Sequence, residues 1–165
     1  MRYEITQAQT AFYEKNKEIL FEDFFPLTVT DAIKEFSPGY DLWRKHPEIK
    51  KMATSVELGT ILFQLTHTRP IRLLFDRIVE NETVNLKETS FQGAIAGVII
   101  SGSSITIFSP ELPFKVEGRA LFLSYGELKS VFTFRENDLF AASLKRQGYT
   151  YGDALNSDDY PLIYR

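Results

Sequence analysis

The chain contains no cysteine and only two histidines and one tryptophan. Without cysteine there is no disulfide, no thiolate metal site and no cysteine nucleophile. The histidines, His46 and His67, both fall in the first half. Neither has a neighbour at ligand spacing, so a site for a borderline metal ion has little to draw on. There is no excess of positive charge. With 19 Lys and Arg against 22 Asp and Glu the net charge is -3, and nothing pulls the chain toward nucleic acid or an anionic membrane. No apolar run approaches the roughly 18 residues of a membrane helix, and "MRYEITQAQT" lacks the apolar core of a signal peptide. A cytoplasmic protein is therefore expected. Gly-x-Ser-x-Gly, Walker A and Gly-x-Gly-x-x-Gly are all missing. The "NSDDY" segment does not match a calcium loop, and Asp158 and Asp159 read as a solvated turn.

What is abundant is aromatic: 14 Phe and 8 Tyr in 165 residues. Rings at that frequency suit sheets and barrels, and the length is enough for one domain with a sizeable core. The chain changes character near residue 70. Before it, Thr6 caps "QAQTAFYEKN", with Ala8 and Phe12 on an apolar stripe. A short strand, "EILFEDFFP", ends at Pro26, and a helix capped by Thr30 or Asp31 stops at Pro38-Gly39. Pro47 marks a helix boundary, and Thr54 to Glu57 has capping-box spacing before a helix burying Leu58, Ile61, Leu62 and Leu65.

From residue 71 the period shortens toward two. Five strands are expected: "IRLLFDRIVE", "AIAGVIIS", "ITIFS", "RALFLSY" and, after a turn at Gly126, "SVFTFRE". In the first, Ile71, Leu73 and Phe75 share a face. Asp138 caps a last helix, Gly148 ends it, and an aromatic tail follows. The expected organisation is one domain over 1–165, with a mostly helical part at 1–70, a β-barrel core at 71–136, and a helix and tail at 137–165. The expected fold class is mixed α+β with a mainly β core.

Three stretches together resemble a known family. "QAQTAFYEKNKEILFEDFFP", then "YDLWRKHPEIKKMATSVELGTILFQLTHTRPIRLLFDRIV" with its "DLW" turn and "R-x-L-x-D" strand, and the tail "LKRQGYTYGDALNSDDYPLIYR" are similar to phytanoyl-CoA dioxygenase-like proteins, short bacterial members in particular. The resemblance implies a double-stranded β-helix, a cupin-like jelly roll with helices outside. It also implies hydroxylation by Fe(II) and 2-oxoglutarate, with two His and a carboxylate as ligands and an Arg for the cosubstrate.

The ligand positions depart from that pattern. The His-x-Asp position matches Phe91-Gln92-Gly93, and "RALFLSYGELKS", where the late His would lie, contains none. Lys129 is the polar residue nearest that position, and Arg119 or Arg135 stands for the cosubstrate Arg. The expectation is a retained scaffold without its metal site or any other cofactor, binding an unidentified small molecule or protein. Gln92, Arg119 and Lys129 are the candidate pocket residues. Tyr149, Tyr151, Tyr160 and Tyr164 either add to that surface or anchor the tail. The alternative is an oxygenase with non-standard ligands, in which His46 or His67 reaches Asp76.

Overall fold

The computed structural model describes residues 4–133, 135 and 137–165. A helix, α1 (Gln7–Asn16), precedes strand β1 (Glu18–Phe21), two helical turns α2 (Leu27–Thr30) and α3 (Ala32–Glu35), and a 3-10 turn at Leu42–Arg44. Helices α4 (Pro47–Ala53) and α5 (Val56–Thr66) complete the helical part. Then come β2 (Ile71–Glu80), β3 (Thr83–Val84), a 3-10 turn at Leu86–Glu88, β4 (Phe91–Ser101), β5 (Ser104–Phe108), β6 (Phe114–Lys115) and β7 (Arg119–Phe132). Helix α6 (Leu139–Arg146) and β8 (Leu162–Tyr164) close the chain.

The major sheet is antiparallel, six-stranded and ordered β1-β5-β4-β7-β2-β8, and β3 and β6 form a second, two-stranded sheet. The fold is mixed α+β and dominated by this curled sheet. Alternation along each strand divides the core in two. Ile71, Leu73, Ala96, Val98, Ile100, Ile105, Ile107, Leu121 and Leu123 face the helices. Phe75, Val79, Phe91, Ile99, Phe108, Phe122 and Phe132 face the other way, toward β3, β6 and α6. On the helix side, Leu58, Ile61, Leu62 and Leu65 of α5 are buried as their spacing requires. Each such side chain contributes about 2 kcal/mol.

Several local expectations hold. Thr6 and Gln9 form a capping box, Pro47 starts α4, Asp138 accepts the Phe140 N–H at the start of α6, and Gly148 follows that helix at φ 92°. Others are corrected. In α1 the buried residue is Tyr13, while Phe12 stays 52% exposed. The cap of α5 is Ser55, which accepts the Leu58 N–H, and Thr54 instead donates its hydroxyl to Lys50 O at 2.7 Å. The helix expected after Thr30 or Asp31 begins at Ala32, but Asp31 makes no side-chain cap bond and the helix ends at Glu35, short of Pro38.

Two corrections shape the interior. Phe75 does not share a face with Leu73. A bulge at Leu74 lets Leu73 pair with Tyr125 and Phe75 with Ser124, which turns the Phe75 ring to the opposite face. Gly126 is not a turn, because β7 runs straight through it. A Cβ at Gly126 would stand 2.4 Å from Ser130 Oγ and 3.0 Å from Gly93 O, so the glycine permits close approach. The extra residues form a bulge: Ala94 pairs with Gly126, and the next pairing is Gln92 with Val131. The expected strand "SVFTFRE" is β-structure as far as Phe132. Its Phe134 and Glu136, like residues 1–3, lie outside the described residues.

Candidate functional site

The first feature is a buried polar latch. Asp76 has no solvent exposure, and its two carboxylate oxygens accept the N–H groups of Leu42 at 2.7 Å and Trp43 at 2.6 Å. Asp41 sits at φ 56° ahead of that turn, where the first N–H groups have no helical partner of their own. Burial lifts the Asp76 carboxyl from its ordinary 3.8 to about 6, against the pull of those two N–H groups. Four residues earlier on β2, buried Arg72 donates to Leu155 O in the tail at 2.6 Å. Arg44 reaches the tail as well, donating to Asp159 O at 2.5 Å, with its guanidinium 4.4 Å from the Trp43 ring centroid. The "DLW" turn, the "R-x-L-x-D" strand and the tail are thus joined by their polar groups. This latch supports the scaffold and uses both Asp76 oxygens to hold the Leu42 and Trp43 N–H groups in place.

The second feature is the filling of the interior. Phe75 lies between Phe140 at 4.3 Å and Phe122 at 5.2 Å, and Phe91 is 5.6 Å from it. Phe91 also meets Tyr160 edge-on at 5.7 Å, so the tail closes one end of the cluster. Small residues make the room. A Cβ on Gly97 would stand 2.2 Å from the Phe108 ring, so only glycine lets that ring lie on β4. Phe91, at the first position of the iron pair by resemblance, is 4% exposed and inside this cluster. Gln92 points the other way and is exposed, and Gly93 is left-handed at φ 100°.

Two cavities open at the rim of the aromatic cluster. One, of about 540 Å³, is lined by Phe75, Arg77, Asn85, Phe122 and Asp138 among others. The other, of about 560 Å³, is lined by Leu86, Phe91, Gln92, Ala94 and Tyr151 among others. Thr89 and Arg135 line both. The first has a fixed charge pattern: Arg77 is paired with Glu82, and Asp138 accepts the Ser90 N–H at 2.6 Å.

The candidate residues are not gathered at one point. Gln92 lines the second cavity, and exposed Lys129 lies two positions before Val131, the cross-strand partner of Gln92. Arg119 pairs with Glu80 at the far end of β7, where its Nε and Nη2 are buried without a hydrogen-bond partner among the described residues. Arg135, the other cosubstrate candidate, is at the cavities. Tyr149 and Tyr160 are buried, Tyr164 stacks on Phe63 at 5.0 Å, and only Tyr151 is widely exposed, so the tail tyrosines serve mainly as anchors. His46 packs on Phe36 at 4.2 Å, and His67 ends α5 in a left-handed conformation. Among the described residues no three His, Cys, Asp or Glu are grouped as metal ligands. No helix among them is long and apolar enough to cross a membrane. The aromatic interior, including Phe75, Phe122 and Phe140, was missed as a unit; its sequence signal is the density of Phe on the strands.

A curled antiparallel sheet with helices on one face and a second small sheet on the other is the jelly-roll fold of non-heme alpha-ketoglutarate-dependent enzymes. The chain is similar to the epimerase SnoN of nogalamycin biosynthesis, with a TM-score of 0.72 and 12% identity, covering 96% of this chain and 98% of that one. It is similar to the carbocyclase SnoK of the same biosynthesis, with a TM-score of 0.72 and 12% identity, covering 96% of each chain. CT296 from Chlamydia trachomatis is 22% identical with a TM-score of 0.58, covering 76% of this chain and 97% of that one. No family model matches the chain, and no curated protein does. At these identities the likeness shows the fold alone.

Proposed function

We propose that this chain is a non-catalytic protein on the jelly-roll scaffold, which binds a small molecule or a protein at the rim of its interior. The observation that carries this reading is the Phe91 ring, buried among Phe75, Phe140 and Tyr160 where the resemblance places the first iron ligand. A phenyl ring offers no donor to iron, and the Gly93 that would supply the carboxylate has no side chain. The residues present do not fit Fe(II), and no step is derived through it. Nothing in the geometry favours an oxygenase built on His46 or His67 with Asp76, because His46 packs on Phe36 and among the described residues no three His, Cys, Asp or Glu are grouped as metal ligands.

The binding surface in this reading is the pair of cavities that meet at Thr89 and Arg135, with Gln92 on one wall. Lys129 and Arg119 line neither cavity, and Arg119 lies at the other end of β7. The chain is taken as one folding unit of a cytoplasmic protein, in keeping with its lack of cysteine. An anaerobic thermal-shift titration with Mn(II), with and without 2-oxoglutarate, tests the reading. A ligand that binds only the folded state raises its apparent stability by about 2.7 kcal/mol at a hundredfold excess over Kd. The expected result is no shift at millimolar concentrations of both. A saturable rise that requires both would overturn the proposal.

A further inference from the structure

A separate cavity of about 800 Å³ opens where the segment after β1 meets the junction of α4 and α5. Its walls are Phe24, Phe25 and Met52, and its charged lining among the described residues is Glu22, Asp23 and Glu57 against Lys51. The two rings stand at 86° with centroids 4.8 Å apart, giving the cavity two aromatic walls in different planes. Next to it in sequence, Leu27 is 57% and Val56 68% exposed, so apolar surface continues past the rim.

The walls are fixed in advance. Phe24 and Phe25 both donate their N–H groups to Ser103 O, at 2.8 Å and 3.0 Å, and the Ser103 hydroxyl donates to Asp23 Oδ1 at 3.0 Å. That ties the aromatic segment to the β4–β5 turn. On the other wall the Ser55 hydroxyl donates to Glu57 Oε2 at 2.9 Å, while its oxygen accepts the Leu58 N–H. Glu57 therefore answers the positive end of α5. Its own backbone N–H and the Ser55 hydroxyl hold its carboxyl below the ordinary value, so it stays ionised at neutral pH. A site already in its binding geometry loses little freedom on binding.

We propose that this cavity binds a small organic cation with an alkyl chain, an alkylammonium compound. Among the described lining residues, three carboxylates against one ammonium set the preferred sign. Phenyl faces attract a weakly hydrated cation through their quadrupoles, and Met52 adds a polarizable wall. The alkyl chain would cover apolar surface that is otherwise wet. A compact inorganic cation would use neither ring, and an anion would meet the wrong sign. The cavity is built from different residues than the aromatic interior, so this inference and the preceding one stand or fall separately.

The test is titration of the ¹⁵N-labelled protein with hexyltrimethylammonium chloride, using sodium hexanoate as the matched anion. The expected result is saturable binding below about 1 mM. Amide shifts are expected at residues 22–26 and 51–57, with NOEs from the N-methyl protons to the Phe24 and Phe25 rings. Hexanoate should bind at least about tenfold more weakly. The double variant Phe24→Leu/Phe25→Leu keeps the apolar surface but removes the ring faces, and should weaken cation binding at least about fivefold. Glu22→Gln/Glu57→Gln, at exposed positions, should weaken it and flatten its salt dependence. If the leucine variant does not fold, the NOEs and the glutamine variant decide. Absence of saturation, equal binding of hexanoate, or an affinity unchanged in the variants would overturn the proposal.

Discussion

The two faces of the major sheet are packed by different chemistry. Toward the helices the strands present mainly Ile, Leu, Val and Ala, with Phe21 and Tyr125 as the aromatic exceptions, and these interlock with Leu58, Ile61, Leu62 and Leu65 of α5 and with Ile49 and Met52 of α4. Toward the second sheet they present Phe75, Phe91, Phe108, Phe122 and Phe132, joined by Phe140 of α6 and by Tyr149 and Tyr160 of the tail. Branched aliphatic chains suit a helix-on-sheet interface, where ridges must fit a pleated surface. Rings fill a wider space with fewer side chains and meet at defined angles, as the 90° contact of Phe75 with Phe122 shows. The contrast shows two ways to cover one sheet, with interlocking aliphatic chains on the helix side and angled rings on the other.

The largest expected effect lies in the latch that holds both faces in register. Removing the Asp76 carboxylate with Asp76→Ala strands two buried N–H groups, those of Leu42 and Trp43. The expected loss is about 3–5 kcal/mol by urea denaturation. The same carboxyl gives a pH signature. Its folded-state pKa of about 6 lies above its ordinary 3.8, so between those values the folded state holds the proton more tightly than the unfolded state. Stability from this group is therefore full below about pH 4 and falls as pH rises toward 6, by up to about 1.4 kcal/mol per unit. The difference in stability between the wild type and Asp76→Asn should show that slope, and a flat difference would reject it.

The next effect separates the two faces directly. Phe75→Ala removes a ring that touches three others and should cost about 3–5 kcal/mol, whereas Ile100→Val on the helix face should cost about 1 kcal/mol. Equal costs after matching for volume would mean that the aromatic face is not a packed core. A smaller effect concerns the room made for the rings. Gly97→Ala should cost about 2 kcal/mol by pushing a Cβ into Phe108, and the cost should shrink by more than about 1 kcal/mol in a Phe108→Leu background.

Much of this architecture was legible in the sequence, and the exceptions have physical causes. The stripe of α5 and the strands "AIAGVIIS" and "ITIFS" could be read because each repeats one local period over many residues. Phe75 could not be placed, because a single bulge residue, Leu74, inverts the faces after it. Gly126 looked like a turn because its function, close approach to Leu74, Ser130 and the Gly93 carbonyl, depends on chain brought from elsewhere. Strand β8 is three residues long and has no period to detect. Asp76 was visible as a charge in an apolar strand, but its partners are 33 and 34 residues away. Of the site, the ring cluster around Phe91 was not legible, since each member comes from a different element.

The most direct test of the filled interior is the stability of Phe91→His, which places a ligand-type side chain at the position that the resemblance implies for iron. If the interior is a packed aromatic core, an imidazole among Phe75, Phe140 and Tyr160 meets no polar partner and loses ring contacts. The variant should then be at least about 2 kcal/mol less stable by urea denaturation, and Mn(II) with 2-oxoglutarate should not restore the midpoint. A variant as stable as the wild type, or one whose midpoint Mn(II) and 2-oxoglutarate raise saturably, would contradict the account and indicate a pocket still able to hold a metal.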